Sequence, residues 1–472
     1  MRDRTRTTGG SVHGDPATNA PPPTPSAIAA LYQTTEPDET LILFDGVIRL
    51  SREAATMDGH GTIQLEWVPD PRVVFRFDIP PQIDFPWTMG AMTAPFEVTL
   101  ELLGDRHGRG TAHASGLTMQ MEQGVSFLRT LYGYVDTEFE VGNPAATDSV
   151  VFHVPNFPRF MGTNVSSESA HYAERLTTQT TNWTIEIDAI PDHLELRRKL
   201  EASGGYAITH VGRIRHVNGK AVGYEAIREM GTVLRMWLSL LRSQRTEPVL
   251  ICGIHDGVVV WERWGSPSVD SWIGRRGWLP STLLQQSGPN ASANFGPILQ
   301  TLLDIRANSD LSRVIPHAID WYTQAATTIH VGTRVILAQA GLEIMSWLRL
   351  VSEIGINEAT FTNMPASDAL RLALDHALVD PVIPTALSAL YSAAQPQQGD
   401  ARQLDGPGAI TESRNGTLHP KPNLRVGDDL AMIEGGQLAL RYLEMLLLQR
   451  LGYTGAAVNR VNGWETELVP WR

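Results

Sequence analysis

From residue 41 to about 190 the chain alternates short apolar runs with clusters of Gly, Pro, Asp and Asn. Runs at 41–50, 61–68, 72–79, 96–104, 148–157 and 182–190 carry the period-two pattern of half-buried strands. Their spacing predicts a β-rich domain over 31–190, a sandwich or a partly closed barrel. A mixed α/β region follows over 191–295. Asn218-Gly219 between apolar runs signals a hairpin, and Asp256-Gly257 signals a second strand pair. Between them, Ile227, Met230, Val233, Leu234, Trp237 and Leu241 recur at helical spacing. From 296 to 472 the strand signals stop, and segments 326–353, 366–379, 383–394, 407–418 and 428–451 read as helices. The chain is therefore expected to be a multidomain α+β protein that ends in an all-α bundle. Residues 1–30, rich in Thr, Gly and Pro, are expected to be a disordered arm.

Charge changes this picture in one respect. The chain has 472 residues, with Lys+Arg 38 against Asp+Glu 51 and a net charge of -13, so it is no bulk coat for nucleic acid. Residues 190–280 run against the trend, with 13 Lys/Arg and 9 Asp/Glu, whereas 326–450 carry 9 and 13. Polyanion contact is thus expected in the middle region, at Arg213 and Arg215. The single cysteine, Cys252, excludes an internal disulfide framework and a Cys-based zinc cluster within one chain. The start lacks the apolar stretch of a secretory signal, and no unbroken apolar run of about 18 residues occurs. A cytoplasmic location without membrane contact is the expectation.

Phosphate-binding Gly-rich loops, His-Glu-x-x-His and Gly-x-Ser-x-Gly are missing. The segment that stands out is Arg414-Asn415-Gly416-Thr417-Leu418-His419-Pro420. A cation and an imidazole suffice for RNA cleavage without metal or other cofactor, because the 2′-hydroxyl is an internal nucleophile and the protein need only move protons and stabilise charge. Arginine followed by histidine at this spacing has little specificity: Arg6/His13, Arg106/His113 and Arg371/His376 also fit. Arg371 and His376 read as surface structure. Only Arg414 is followed by a polar amide and only His419 by proline. Proline pushes its predecessor out of the α region, so the helix should end near Leu418 with His419 at its C-terminus, where the dipole favours imidazolium. On a continuous helix Arg414 and His419 lie about 140° apart and diverge; a break at Gly416 or Pro420 is needed for them to meet. Glu343 is a possible partner for the arginine. His210 and His216 read as ordinary strand residues, and Trp261, Trp264, Trp272 and Trp278 as core rather than as platforms for bases.

Arg-Asn-x-x-x-His-Pro within a helical bundle resembles the signature of the HEPN superfamily of ribonucleases, found among bacterial toxins and antiviral effectors. Segments 340–353, 370–390, 438–455 and 459–471 add to the resemblance, which covers about 150 residues. It implies a metal-independent endoribonuclease in which Arg414 binds the scissile phosphate, Asn415 orients the site and His419 transfers protons. It further implies RNA as substrate and a homodimer through the bundle that pairs two motifs. Gly416, where alanine is expected, and Ala457, where an aromatic is expected, depart from the pattern. The alternative is a non-catalytic HEPN scaffold whose β-rich domain binds a protein or glycan.

Overall fold

The computed structural model describes residues 24–471 apart from 54, 81–94, 123–125, 145–146, 161, 168–170, 275–276, 280–290, 308–310, 398–400, 420–425 and 427. Six antiparallel strands, β1 (Leu41–Arg52), β2 (Ala55–Glu66), β3 (Arg72–Ile79), β4 (Phe96–Leu102), β5 (Gly108–Glu122) and β6 (Ser126–Gly142), stand in the order β3-β2-β1-β4-β5-β6. Pairing of β3 with β6, from Val74↔Tyr134 to Ile79↔Arg129, closes them into a barrel. Period-two alternation points Ile48, Leu50, Ile63, Leu65, Phe75, Phe77, Leu100 and Leu131 inward, all fully buried. Of the two shapes the pattern left open, the barrel is the one formed, and it is closed. Strands β5 and β6 were not legible because glycines and charges interrupt their apolar pattern. One of those glycines is required: a Cβ at Gly133 would lie 2.0 Å from the His113 carbonyl oxygen across the pair.

The far end of β6 stays paired with β5 on one edge and on the other takes β13 (Val258–Gly265), from Glu138↔Gly265 to Gly142↔Trp261. From there an antiparallel sheet continues through β12 (Val249–His255), β7 (Ser149–Pro155), β11 (Ile208–His216), β10 (Trp183–Ala189), β9 (His171–Gln179) and β8 (Thr163–Ser166). Asp256 and Gly257 make the expected turn between β12 and β13, both at positive φ (47° and 76°). The Asn218-Gly219 hairpin is not formed. Strand β11 is already paired on both edges, with β10 and β7, so the returning chain makes one bridge, Val222 to Thr147, and then enters a helix.

Residues 24–30, expected within a disordered arm, lie along the sheet; residues 1–23 of that arm fall outside the described residues. Ala27 N–H donates to Ser166 O (2.8 Å), Ser166 N–H to Pro25 O (3.0 Å) and Ile28 N–H to Asp188 Oδ2 (2.8 Å). The backbone N–H groups of Leu31 and Tyr32 both donate to His153 Nε2, each at 3.1 Å. Buried Ile28 anchors the strap through apolar contact.

The helices are α1 (His193–Ser203), α2 (Tyr224–Arg242), α3 (Ala291–Ala307), α4 (Val314–Thr327), α5 (Val331–Trp347), α6 (Glu358–Thr362), α7 (Ala366–His376), α8 (Ser388–Ala394), α9 (Gly406–Leu418) and α10 (Asp429–Arg450). A π-turn at Leu348–Glu353 extends α5. The continuous helix expected over 326–353 is split because Thr328 is extended (φ -61°, ψ 137°). With its π-turn, α5 is long and apolar enough to cross a membrane by composition, with Glu343 and Arg349 breaking the apolar run; half of it is buried in the molecule, packed against α4 and α10. The expectation of an all-α ending is corrected by a hairpin, β14 (Ala456–Asn459) and β15 (Glu465–Leu468). Val458 N–H donates to Trp278 O at 2.7 Å, so backbone pairing to a distant segment, invisible to local pattern, fixes this piece. Trp261, Trp264, Trp272 and Trp278 are all buried, as expected. One hydrophobic core runs from Phe152 and Ile187 on the sheet through Trp237 and Leu302 to Leu443 in α10.

Candidate functional site

Helix α9 carries the Arg/His segment and is held in place at its start. The Asp405 carboxylate caps it by accepting from Gly408 N–H (2.9 Å), with Pro407 in the first turn. Arg371 clamps that cap, donating to both Asp405 oxygens (2.6 and 3.0 Å) and to Asp368 (2.5 Å). Burial pushes the Asp405 carboxyl up, but the hydrogen bonds from Arg371 and Gly408 outweigh it and hold the group below the usual carboxylate range. The structural reading of Arg371 stands. Along the buried face, Ile410 is fully enclosed, Ser413 meets Gly435 of α10 and Thr417 meets Gly332 of α5. Small residues at these crossings bring the three helices close.

What remains on the outer face is Arg414 and Asn415, half-buried, and His419, exposed. Arg414 Nη1 donates to Asn415 Oδ1 at 3.4 Å, and the Asn415 carbonyl accepts His419 N–H at 2.8 Å. Asn415 therefore touches both neighbours, one through its side chain and one through its backbone. Helix α9 runs unbroken through Gly416, and the chain leaves it at His419 (φ -133°, ψ 69°). Pro420, expected to force that exit, lies outside the described residues. No hydrogen bond or ion pair joins the side chains of Arg414 and His419, and among the described residues Arg414 has no carboxylate partner. The convergence expected of a broken helix is not made within one chain. Glu343 does not reach Arg414 either: it sits beside Gln339 in a separate pocket.

Arg213 and Arg215 lie two residues apart on β11 and so share one face of the sheet. Both donate to Glu186 Oε2 on β10, Arg213 at 2.7 and 3.0 Å and Arg215 at 2.9 Å. Buried Arg175 pairs with Asp188 (2.7 Å) and stands 3.4 Å from Glu186. Burial pushes the Glu186 carboxyl up, yet the surrounding guanidinium groups win and lower it. The group of three arginines and two carboxylates retains one positive charge, with Arg215 (46% exposed) open to solvent and Arg213 (28%) less so. Of the two strand histidines, His210 is fully buried, stacked on Phe160.

A second cationic site escaped the sequence reading. A polar pocket of about 390 Å³ between α2, α3 and the β12–β13 hairpin is lined by Arg228, Arg235, Arg263 and Arg306 against Glu138, Glu229 and Glu247, a balance of one positive charge. Arg306 pairs with Glu229 at 2.9 Å, whereas Arg235 is exposed. These arginines come from three separate elements, so no local motif announces them; the surplus of +4 over 190–280 takes in Arg228, Arg235 and Arg263 but not Arg306. Among the described residues, no group of three or more His, Cys, Asp and Glu side chains is placed to hold a metal ion.

Residues 142–275 match a family model described as the YopA central domain, and residues 308–469 one described as the YopA C-terminal domain. The chain resembles YopA. It is 26% identical over 329 residues to the SPbeta prophage-derived uncharacterized protein YopA of Bacillus subtilis (strain 168), an alignment spanning 68% of this chain and 71% of that protein. No solved structure matches the chain significantly. The first YopA match begins where β6 ends and takes in Arg213 and Arg215; the second takes in all of α9. The β-barrel strands precede both matches.

Proposed function

We propose that this protein is a metal-independent endoribonuclease of HEPN type, acting in the cytoplasm in antiviral defence or as a toxin. Its site is Arg414, Asn415 and His419 at the C-terminal end of α9. The observation that supports this most is the position of Asn415, bonded at once to the Arg414 guanidinium and to the backbone of His419. It holds a cation that has no carboxylate partner among the described residues close to a solvent-exposed imidazole. Arg414 binds the scissile phosphate and offsets the charge that builds on it, while His419 gives a proton to the leaving 5′-oxygen. Because one chain leaves the two side chains apart, the working site takes a second copy, paired through the helical half of the molecule as an isologous dimer.

The test is cleavage of total RNA in EDTA. Wild type is expected to give 2′,3′-cyclic phosphate and 5′-hydroxyl ends and to leave DNA intact, and His419→Ala to bind RNA but turn over about 100-fold more slowly. A 5′-phosphate product or loss of activity in EDTA overturns the mechanism. The separation of Arg414 from His419 favours a second reading, a non-catalytic scaffold whose β-rich region binds a protein or glycan. Under that reading wild type and His419→Ala are equally inert towards RNA.

A further inference from the structure

The face of α5 that Glu343 shares is the most unusual in the helical half. Gln339, Glu343 and Ser346 stand one turn apart in succession and line a pocket of about 260 Å³. Its other walls are apolar apart from Thr362, whose hydroxyl donates to Glu358 O: Leu342 on α5, Phe361 and Met364 on and beyond α6, and Leu370 on α7. Gln339 and Ser346 are each 2% exposed, yet Gln339 Oε1 and Ser346 Oγ have no hydrogen-bond partner among the described residues. A buried serine in a helix ordinarily bonds the carbonyl one turn back, and this one does not. Leaving such atoms unsatisfied is costly, and the rare cases in native proteins call for an explanation. Directly after Ser346 the helix widens into the π-turn Leu348–Glu353, a feature that recurs where helices carry function.

The chemistry of the lining selects the guest. Gln339 turns its amide nitrogen to Glu343 Oε1 at 3.5 Å, so what it offers the pocket is the carbonyl oxygen, an acceptor. Glu343, exposed at the rim, is an anionic acceptor, and the Ser346 hydroxyl completes the row. Acceptors in a line with a negative charge at the mouth, set in apolar walls, suit N–H donors on an apolar body. We infer that this pocket binds a small organic amine, its ammonium or amino group held by Gln339, Glu343 and Ser346 and its apolar part lying between Phe361, Leu342 and Leu370. The pocket shares no residue with the α9 site and stands independently of the ribonuclease proposal.

Saturation-transfer NMR on the full chain tests this, with benzylamine as probe and benzyl alcohol and benzoate as its neutral and anionic counterparts. Benzylamine is expected to bind, benzyl alcohol about tenfold more weakly and benzoate not at all, the step reflecting one charge-assisted hydrogen bond. Glu343→Gln, a change at an exposed position, brings benzylamine down to the level of the alcohol. Gln339→Leu abolishes binding while leaving the Tm of the free protein equal or higher, because it removes an unsatisfied buried group. Equal binding of all three probes, no binding of benzylamine to wild type, or a lower Tm for Gln339→Leu would each overturn the inference.

Discussion

His153 shows how much a single side chain can hold. Fully enclosed beneath the strap, it accepts the backbone N–H groups of Leu31 and Tyr32 at Nε2, which leaves Nδ1 to donate to Leu250 O at 3.1 Å. Only the neutral ring makes all three bonds. Burial pushes its pKa down to about 4, below the ordinary value near 6.5 that the unfolded chain retains. The unfolded state therefore binds the extra proton first: stability is fully present above about 6.5 and is lost as the pH falls from there towards 4, by about 3 kcal/mol in all. Hydrogen exchange at the Leu31 and Tyr32 amides is expected to accelerate over that window at pH-corrected rates, and a flat profile would refute the assignment. At this scale the sequence was uneven. The Arg414/Asn415/His419 segment stood out through its proline and amide neighbours, whereas His153 did not, because its partners lie 97 to 122 residues away.

Among the elements, α9 and β6 depend on contacts that local pattern only partly reveals. Helix α9 was legible almost to the residue, 407–418 against Gly406–Leu418, since proline and a polar cap mark its ends. The clamp of Arg371 on Asp405 was not, being a pairing across 34 residues. Asp405→Ala removes the cap together with the Arg371 pair, and a loss of about 1 to 2 kcal/mol by urea unfolding is expected; Asp405→Asn, which keeps the cap, should lose less. In β6, the backbone approach at Gly133 leaves no room for a side chain, so Gly133→Ala should cost about 1 to 3 kcal/mol through displaced pairing with β5. Stability equal to wild type would show that the barrel relaxes there freely.

Across the molecule, three helices and the C-terminal hairpin meet at a buried polar knot. Arg460, from the C-terminal hairpin region, pairs with fully buried Glu444 of α10, and Tyr322 of α4 donates to Glu444 Oε1 (2.6 Å) beside Ser243 Oγ (2.6 Å) at the end of α2. Glu444→Ala removes the buried carboxylate that pairs with Arg460 and accepts from Tyr322, so a loss of about 3 to 5 kcal/mol is expected by chemical denaturation. Charge at this scale also refines the RNA proposal. Reversing Arg213 and Arg215 would crowd new carboxylates onto Glu186, whereas Arg215→Gln gives up one bond and leaves Arg213 and Arg175 beside Glu186. It is expected to weaken RNA binding and lower the salt slope by about one; an unchanged slope would remove the sheet from substrate capture. The order of β-rich, mixed and helical regions was readable from periodicity, but the core that the open sheet shares with the helices, apart from that of the barrel, was not, since it is made by contacts between segments that hydropathy reads separately.

Strand β6 belongs to two structures at once: its first part closes the barrel against β3 and its last residues border the open sheet at β13. The YopA central-domain match starts at residue 142, on the last residue of this strand. Anyone cutting the protein there would remove almost the whole neighbour of β13, baring the backbone of Trp261–Gly265 and the ring of Trp264, which stacks on Phe139 with centroids 5.7 Å apart. An apolar edge of that kind recruits other strands. A fragment starting at 142 is expected to self-associate in light scattering, while one that starts before β1 stays dispersed at the same concentration.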